Sequence, residues 1–179
     1  MRASPFNPAS PPVSLGLHPG SCYIPAFDGH RQMRLILQRT DGCEVWIDGA
    51  RHSATGPGLL ILFGTRVGDA EGSCGHLANK AVNLRIFEDA AGKMNLSALD
   101  IGAEIMVVSQ FTLYADTRKG RRPAFTDAMP PDEAERLYHR FVELVAASDL
   151  AVRTGVFGAR MDVKFTNSGP VTILLEHEV

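Results

Sequence analysis

A chain of 179 residues with 45% hydrophobic and 21% charged residues suits one globular domain and excludes wholesale disorder. Eighteen Lys and Arg against 20 Asp and Glu give a net charge of −2, too acidic for a protein that coats nucleic acid, so any such contact must come from a local patch. Three scattered cysteines (Cys22, Cys43, Cys74) make neither a disulfide scaffold nor a metal knuckle, and no apolar run reaches the roughly 20 residues of a membrane span, so a reducing, cytoplasmic setting is expected.

Residues 1–32 hold six of the 11 prolines, three charged residues and no apolar period. They are expected to form a disordered or loosely docked arm, or to precede a true start at Met33. Proline interrupts every possible apolar stretch, which argues against a signal peptide. From Met33 to Arg39 the pattern predicts a strand around Leu35, Ile36 and Leu37. Glu44–Ile47 and Arg51–Ser53 flank Asp48-Gly49, a hairpin-turn dipeptide. Gly58–Phe63 is a continuous apolar run that predicts a central strand. Ala70–Asn83 predicts a helix, with Cys74, Leu77, Ala78, Ala81 and Val82 on one face. A short strand is expected at Leu84–Phe87 and a turn at Asp89–Gly92.

Glu104–Val108 predicts a buried strand running into Ser109-Gln110-Phe111-Thr112-Leu113. Pro130-Pro131-Asp132 opens a second helix, where proline suits the first turn and Asp132, Glu133 and Glu135 suit the positive dipole end. Its apolar face is Ala134, Leu137, Tyr138, Phe141, Val142 and Val145. Three strands are expected to close the chain: Ala151–Thr154, Met161–Phe165 and Val171–Glu176. In the second, Met161, Val163 and Phe165 alternate with Asp162 and Lys164, predicting one buried and one wet face. The expected fold is a single α/β (α+β) domain with a mixed or antiparallel, barrel-like sheet and two main helices.

No nucleophile elbow, phosphate loop, dinucleotide fingerprint or HExxH helix occurs. The six histidines are isolated from one another in sequence, so no general base for a Ser or Thr nucleophile is apparent, and neither a metal nor a cofactor is expected. Two stretches are unusual. Ser109-Gln110-Phe111-Thr112 follows a buried strand with no turn signal; it is either a strand leaving the core or a strand-end pocket where hydroxyls and backbone N–H groups converge. Thr166-Asn167-Ser168-Gly169-Pro170-Val171-Thr172 is favoured as a turn between two strands, though glycine there would also let the backbone approach a ligand. Between them, Arg118, Lys119, Arg121 and Arg122 form a basic run, either a solvated loop or a set of phosphate contacts.

Together these stretches resemble the D-aminoacyl-tRNA deacylase family. The resemblance rests on Met33-Arg34 with Gln38-Arg39, Gly56–Leu60, Asn83–Phe87, Gly92–Asn95, Ser109–Leu113, Asp116–Pro123, Phe125-Thr126 and Asn167–Thr172, and runs from Met33 to about Glu176. It implies hydrolysis of the ester joining a D-amino acid, or mischarged glycine on tRNA(Ala), to the 3′-terminal ribose of tRNA. It implies a homodimer in which a cis Gly169-Pro170 pair enters the partner's pocket and excludes L side chains. Ser109, Gln110, Asn167 and Thr172 would help bind substrate. Phe111 and Thr112 would act through backbone N–H groups, with the tRNA 2′-OH assisting catalysis. Arg118, Lys119, Arg121 and Arg122 would contact tRNA, and Arg39 and Met161 would support the Gly-Pro loop. Gly42-Cys43-Glu44-Val45 and Ser168 depart from the frequent family pattern. Two rivals stand beside this reading: a sister deacylase with a trans Gly-Pro that removes L-alanine, and a non-catalytic tRNA-binding module.

Overall fold

A computed structural model describes residues 32–178, so the expected arm lies outside the described residues, except that Gln32 already belongs to the first strand. Strand β1 (Gln32–Ile47) is one continuous element that contains both the predicted first strand and the first arm of the hairpin. Asp48 and Gly49 carry φ of 49° and 78°, the paired positive angles of a tight hairpin turn, and lead into β2 (Ala50–Thr55). Strand β3 (Gly58–Gly64) is buried almost throughout, as its apolar run requires. Helix α1 (Glu71–Asn83) buries Cys74, Leu77, Ala78, Ala81 and Val82.

The strand expected at Leu84–Phe87 is shifted: β4 is Phe87–Glu88, and it pairs with β5 (Met94–Leu96) across a turn closed by Gly92 N–H and the Asp89 carbonyl at 2.9 Å. A third, short helix α2 (Ala98–Ile101) follows, started by a reciprocal cap between Ser97 and Asp100. Then come β6 (Glu104–Ser109), a 3-10 turn (Phe111–Tyr114), α3 (Pro131–Ala146), β7 (Val152–Thr154) and β8 (Asp162–Glu178).

The sheet order is β2-β1-β3-β6-β7, with β8 on the other edge of β1. Pairing is antiparallel for β1 with β2, β3 and β8, and parallel for β3–β6 and β6–β7. Ser53 Oγ donates to the Thr154 carbonyl at 2.8 Å, so β2 and β7 almost close the sheet into a barrel. Alternation divides the core in two. Leu59, Ile61, Phe63, Ile105 and Val107 face α1 and α3. Leu60, Met106, Val108, Cys43 and Val45 fill the barrel interior. Strands buried on both faces read as unbroken apolar runs for this reason. Among the described residues no helix is long and apolar enough to cross a membrane.

Two expectations are corrected here. The Thr166–Thr172 stretch is not a turn: β8 continues through it and is paired with β1 on both sides, from Glu178 to Thr172 and from Asn167 to Asp162. Between the pairs Gln38–Thr172 and Thr40–Asn167, two steps along β1 face five along β8, so Ser168 to Val171 form a wide bulge in an unbroken strand. Phe165, expected on a buried face, is 39% exposed, whereas Met161 and Val163 pack against the barrel interior as their alternation predicts.

Candidate active site

The carboxyl ends of the parallel strands β3, β6 and β7 lie side by side, and open parallel sheets place their crevices there. A cavity of about 760 Å³ occupies this position. Phe111, Phe125, Met129, Phe157, Met161 and Val163 give it an apolar wall. Thr65, Ser109, Gln110 and Thr126 supply the polar side chains, and no charged residue or histidine is among its described lining.

The 3-10 turn at its mouth is built by neighbouring elements. Gln110 N–H donates to the Phe63 carbonyl at 2.7 Å, which carries the β3–β6 pairing one residue beyond the strand. A Cβ on Gly64 would lie 3.0 Å from the Gln110 carbonyl and 3.1 Å from the Leu113 side chain, so glycine allows the turn to close onto β3. Within the turn, Leu113 N–H donates to Gln110 and Ala115 N–H to Thr112. The i→i+3 pattern leaves the N–H groups of Phe111 and Thr112 without a partner inside the turn, and none accepts from them among the described residues. Phe111 is 59% exposed and packs edge-on against Phe125 at 5.1 Å. Thr112 lies one residue beyond the lining, and its hydroxyl accepts from the Gln110 amide.

The second group of expected residues lies elsewhere in the chain. Asn167, Gly169, Pro170 and Thr172 sit on β8, and none lines the cavity. The Gly169–Pro170 peptide is cis, and both residues are exposed. Arg39, only 7% exposed, braces this bulge. Its guanidinium donates to the Ser168 carbonyl at 3.1 Å, to the Ile86 carbonyl at 2.7 Å and to the Gly169 carbonyl at 3.5 Å, and lies 3.6 Å from Glu88. With the Asn167 side-chain amide oriented so that both of its atoms find partners, its nitrogen donates to the Val171 and Arg39 carbonyls at 3.2 and 3.1 Å. Gln38 donates to the Thr172 hydroxyl at 3.2 Å. A Cβ on Gly169 would meet only the Asn167 amide, at 3.8 Å. Nothing described around Gly169 therefore requires glycine there.

Met161, expected beside the Gly-Pro loop, is found in the cavity wall of its own chain. Its sulfur accepts from Val156 N–H at 3.3 Å and lies where a Cβ on Gly155 would stand, 2.5 Å away. The basic run occupies the exposed loop 117–123, pinched at its base by two backbone bonds between Asp116 and Ala124. Arg118 is committed to Asp116 through two guanidinium bonds of 2.9 and 2.8 Å and a backbone bond of 3.0 Å, which hold the Asp116 carboxyl well below the usual carboxylate range. Lys119, Arg121 and Arg122 extend into solvent.

The histidines are not all isolated in space: α1 and the end of β8 stack His76 on His177 at 4.1 Å, away from the cavity lining. Cys43 and Cys74 are buried free thiols, and burial pushes both up to about 11. Cys22 lies outside the described residues. The expected site residues omitted Phe125, Met129, Phe157 and Val163. Phe157 sits between Gly155 and Gly158, and only the approach of three strand ends brings it to the cavity.

The family model described as D-Tyr-tRNA(Tyr) deacylase matches residues 36–176. The D-aminoacyl-tRNA deacylase of Carboxydothermus hydrogenoformans is 50% identical over 144 residues, which cover 80% of this chain and 99% of that protein. That of Thermomicrobium roseum is 54% identical, covering 80% and 94%. Among solved structures, the c-Myc DNA Unwinding Element Binding Protein superposes with a TM-score of 0.77 at 39% identity, over 82% of this chain and all of that one. A probable eukaryotic D-amino acid tRNA deacylase superposes with a TM-score of 0.72 at 19% identity over the same shares and supports the fold alone. Agreement that runs from the first strand to the last, at half identity with proteins matched over nearly their full length, makes this chain a member of the D-aminoacyl-tRNA deacylase family of hydrolases.

Proposed function

We propose that the protein hydrolyses the ester between a D-amino acid, or glycine, and the 3′-terminal ribose of tRNA in the cytoplasm, and spares the L-aminoacyl ester. Water adds to the ester carbonyl, the bond to the ribose 3′-oxygen breaks, and that oxygen leaves with a proton. The products are free amino acid and tRNA. Glycyl-tRNA(Ala) is a substrate because glycine has no side chain to exclude.

The carrying observation is the separation of the two residue groups. Neither Gly169 nor Pro170 is among the described lining of the cavity, while the bulge that carries them is exposed and braced by Arg39. A homodimer in which each bulge enters the partner's cavity joins them. The Gly169 carbonyl then stands against the substrate α-carbon on the side an L side chain would need. Exclusion by hard contact discriminates more strongly than the absence of one favourable pocket interaction. Met161, in the cavity wall, then supports the loop from across the interface. The space beside Gly169 within its own chain supports this reading, since the demand for glycine falls on the partner site.

Catalysis in this reading rests on position and on charge stabilisation. The N–H groups of Phe111 and Thr112, which the turn itself does not use, receive the oxyanion, and the terminal 2′-OH of the tRNA orients water. The absence of charged groups and histidine from the described lining supports RNA assistance over a Thr112 nucleophile. Ser109 and Gln110 bind the aminoacyl end. Lys119, Arg121 and Arg122, with Arg118 behind Asp116, meet the tRNA phosphates.

The test is hydrolysis of D-tyrosyl-, L-tyrosyl- and glycyl-tRNA by the wild type and by Gly169→Ala. The wild type is expected to cleave the D and glycyl esters and spare the L ester. Gly169→Ala is expected to fold normally and lose activity or discrimination. Equal cleavage of D and L esters by the wild type, or unchanged hydrolysis and selectivity in the variant, overturns the bulge as the chiral filter.

A further inference from the structure

Arg34 lies on β1, outside the cavity lining, with its side chain only 15% exposed. Three contacts of its guanidinium lie among the described residues. Nε donates to Glu176 on β8 at 2.6 Å. Nη1 donates to the Leu113 carbonyl, inside the 3-10 turn, at 3.1 Å. The guanidinium carbon stands 5.0 Å over the ring of Tyr114, the buried last residue of that turn. A four-residue 3-10 turn has poor internal hydrogen-bond geometry, so its position depends on bonds from outside. Gly64 seats the turn on β3, and Arg34 ties its far end to β1 and β8.

We propose that Arg34 is a positioning residue for hydrolysis: anchored by Glu176, it holds the Phe111–Tyr114 turn so that the Phe111 and Thr112 N–H groups point to the developing oxyanion. This rests on the reading, given above, that those two groups receive the ester oxygen. Arg34 touches neither substrate nor reacting atoms in this role. A planar fork suits it, because one guanidinium must meet a carboxylate, a carbonyl and an aromatic face together. Lysine offers only a point charge at the end of a flexible stem.

The test uses the full chain and D-tyrosyl-tRNA, with Arg34→Met, Arg34→Lys and Glu176→Gln. Activity is read as kcat and KM, and turn geometry as the backbone amide resonances of Phe111 and Thr112. Arg34→Met is expected to lower kcat about tenfold with KM within about twofold, since misplacement of a catalytic group by a fraction of an ångström acts on the transition state. The two amide signals shift or broaden with it. Arg34→Lys recovers part of kcat. Glu176→Gln, which keeps the Leu113 bond and loosens its anchor, lowers kcat about threefold with the same signature, and it stands as the deciding variant if Arg34→Met fails to fold. Unmoved amides overturn the positioning role, whatever kcat does. Displaced amides with unchanged kcat leave the positioning intact and overturn the oxyanion reading, and with it Arg34's part in catalysis. A rise in KM alone makes Arg34 a substrate-binding group and also overturns the proposal.

Discussion

Replacing Arg39 with methionine keeps the volume of the stem and removes the guanidinium donors that brace the Gly-Pro bulge. The bond to the buried Ile86 carbonyl is charge-assisted and worth about 1.5–3 kcal/mol. The bond to the Ser168 carbonyl is partly exposed and adds about 1 kcal/mol. The 3.5 Å approach to the Gly169 carbonyl is too long to add much. Glu88 is 59% exposed, so its attraction contributes between about 0 and 1 kcal/mol. The expected destabilisation is therefore about 3 kcal/mol, or a fall in melting temperature of about 6–12 °C for a domain of this size. The bulge is left without support at its two leading carbonyls, Ser168 and Gly169, and the ratio of D- to L-tyrosyl-tRNA hydrolysis is expected to fall by about tenfold or more. Thermal denaturation and parallel hydrolysis of the two esters measure both effects. A melting temperature within about 2 °C of wild type together with an unchanged ratio refutes the reasoning. Glu88→Gln serves as the control and should change little.

Three further outcomes are expected. Substituting Lys119, Arg121 and Arg122 together by alanine should weaken tRNA binding and lower the dependence of log K on log salt by about 0.7–0.9 for each phosphate no longer neutralised, whereas Arg118→Ala, whose charge already faces Asp116, should do less; salt titrations of tRNA binding test this. The Asp116 carboxyl, lowered first by its Arg118 hydrogen bonds, should hold the loop fully above the ordinary carboxylate pKa of about 4 and release it only as pH falls through the depressed folded value; a carboxyl-carbon NMR titration with an ordinary midpoint contradicts the clamp. Gly58→Ala places a Cβ 1.9 Å from the Glu104 carbonyl oxygen, forcing β3 and β6 apart, and should cost about 3 kcal/mol in a urea titration, with a near-neutral result excluding the close approach.

Local patterns carried much of the architecture. Asp48-Gly49 specifies its hairpin because the turn needs two positive φ angles, which this dipeptide tolerates. The faces of α1 and α3 follow from helical spacing, and the doubly buried β3 and β6 from their unbroken apolar runs. The short α2 starts at a local signal, the Ser97–Asp100 capping pair, that spans only four residues and has no apolar period beside it. The Gly-Pro stretch misled because Gly-Pro is ordinarily turn chemistry. Its in-line course is set by pairing with β1 on both sides, and a bulge tolerates proline because the looped-out residues need no ladder N–H.

The site divides along the same boundary. Sequence alone determined which residue types are available: the polar strand end from Ser109 to Thr112, the Gly-Pro pair, the basic loop, and no adjacent catalytic base. Tertiary structure alone decided who meets whom. Three parallel strand ends gather Phe125, Phe157 and Met161 around Ser109 and Gln110, although up to 52 positions separate them along the chain. The same fold puts Gly169 and Pro170 outside that cavity and turns Arg34 and Arg39, five residues apart on one strand, to different tasks: Arg34 to the 3-10 turn and Arg39 to the bulge. A strand's pleat and bulges decide which face each side chain takes, and the partners on those faces come from distant sequence, so no local pattern encodes them.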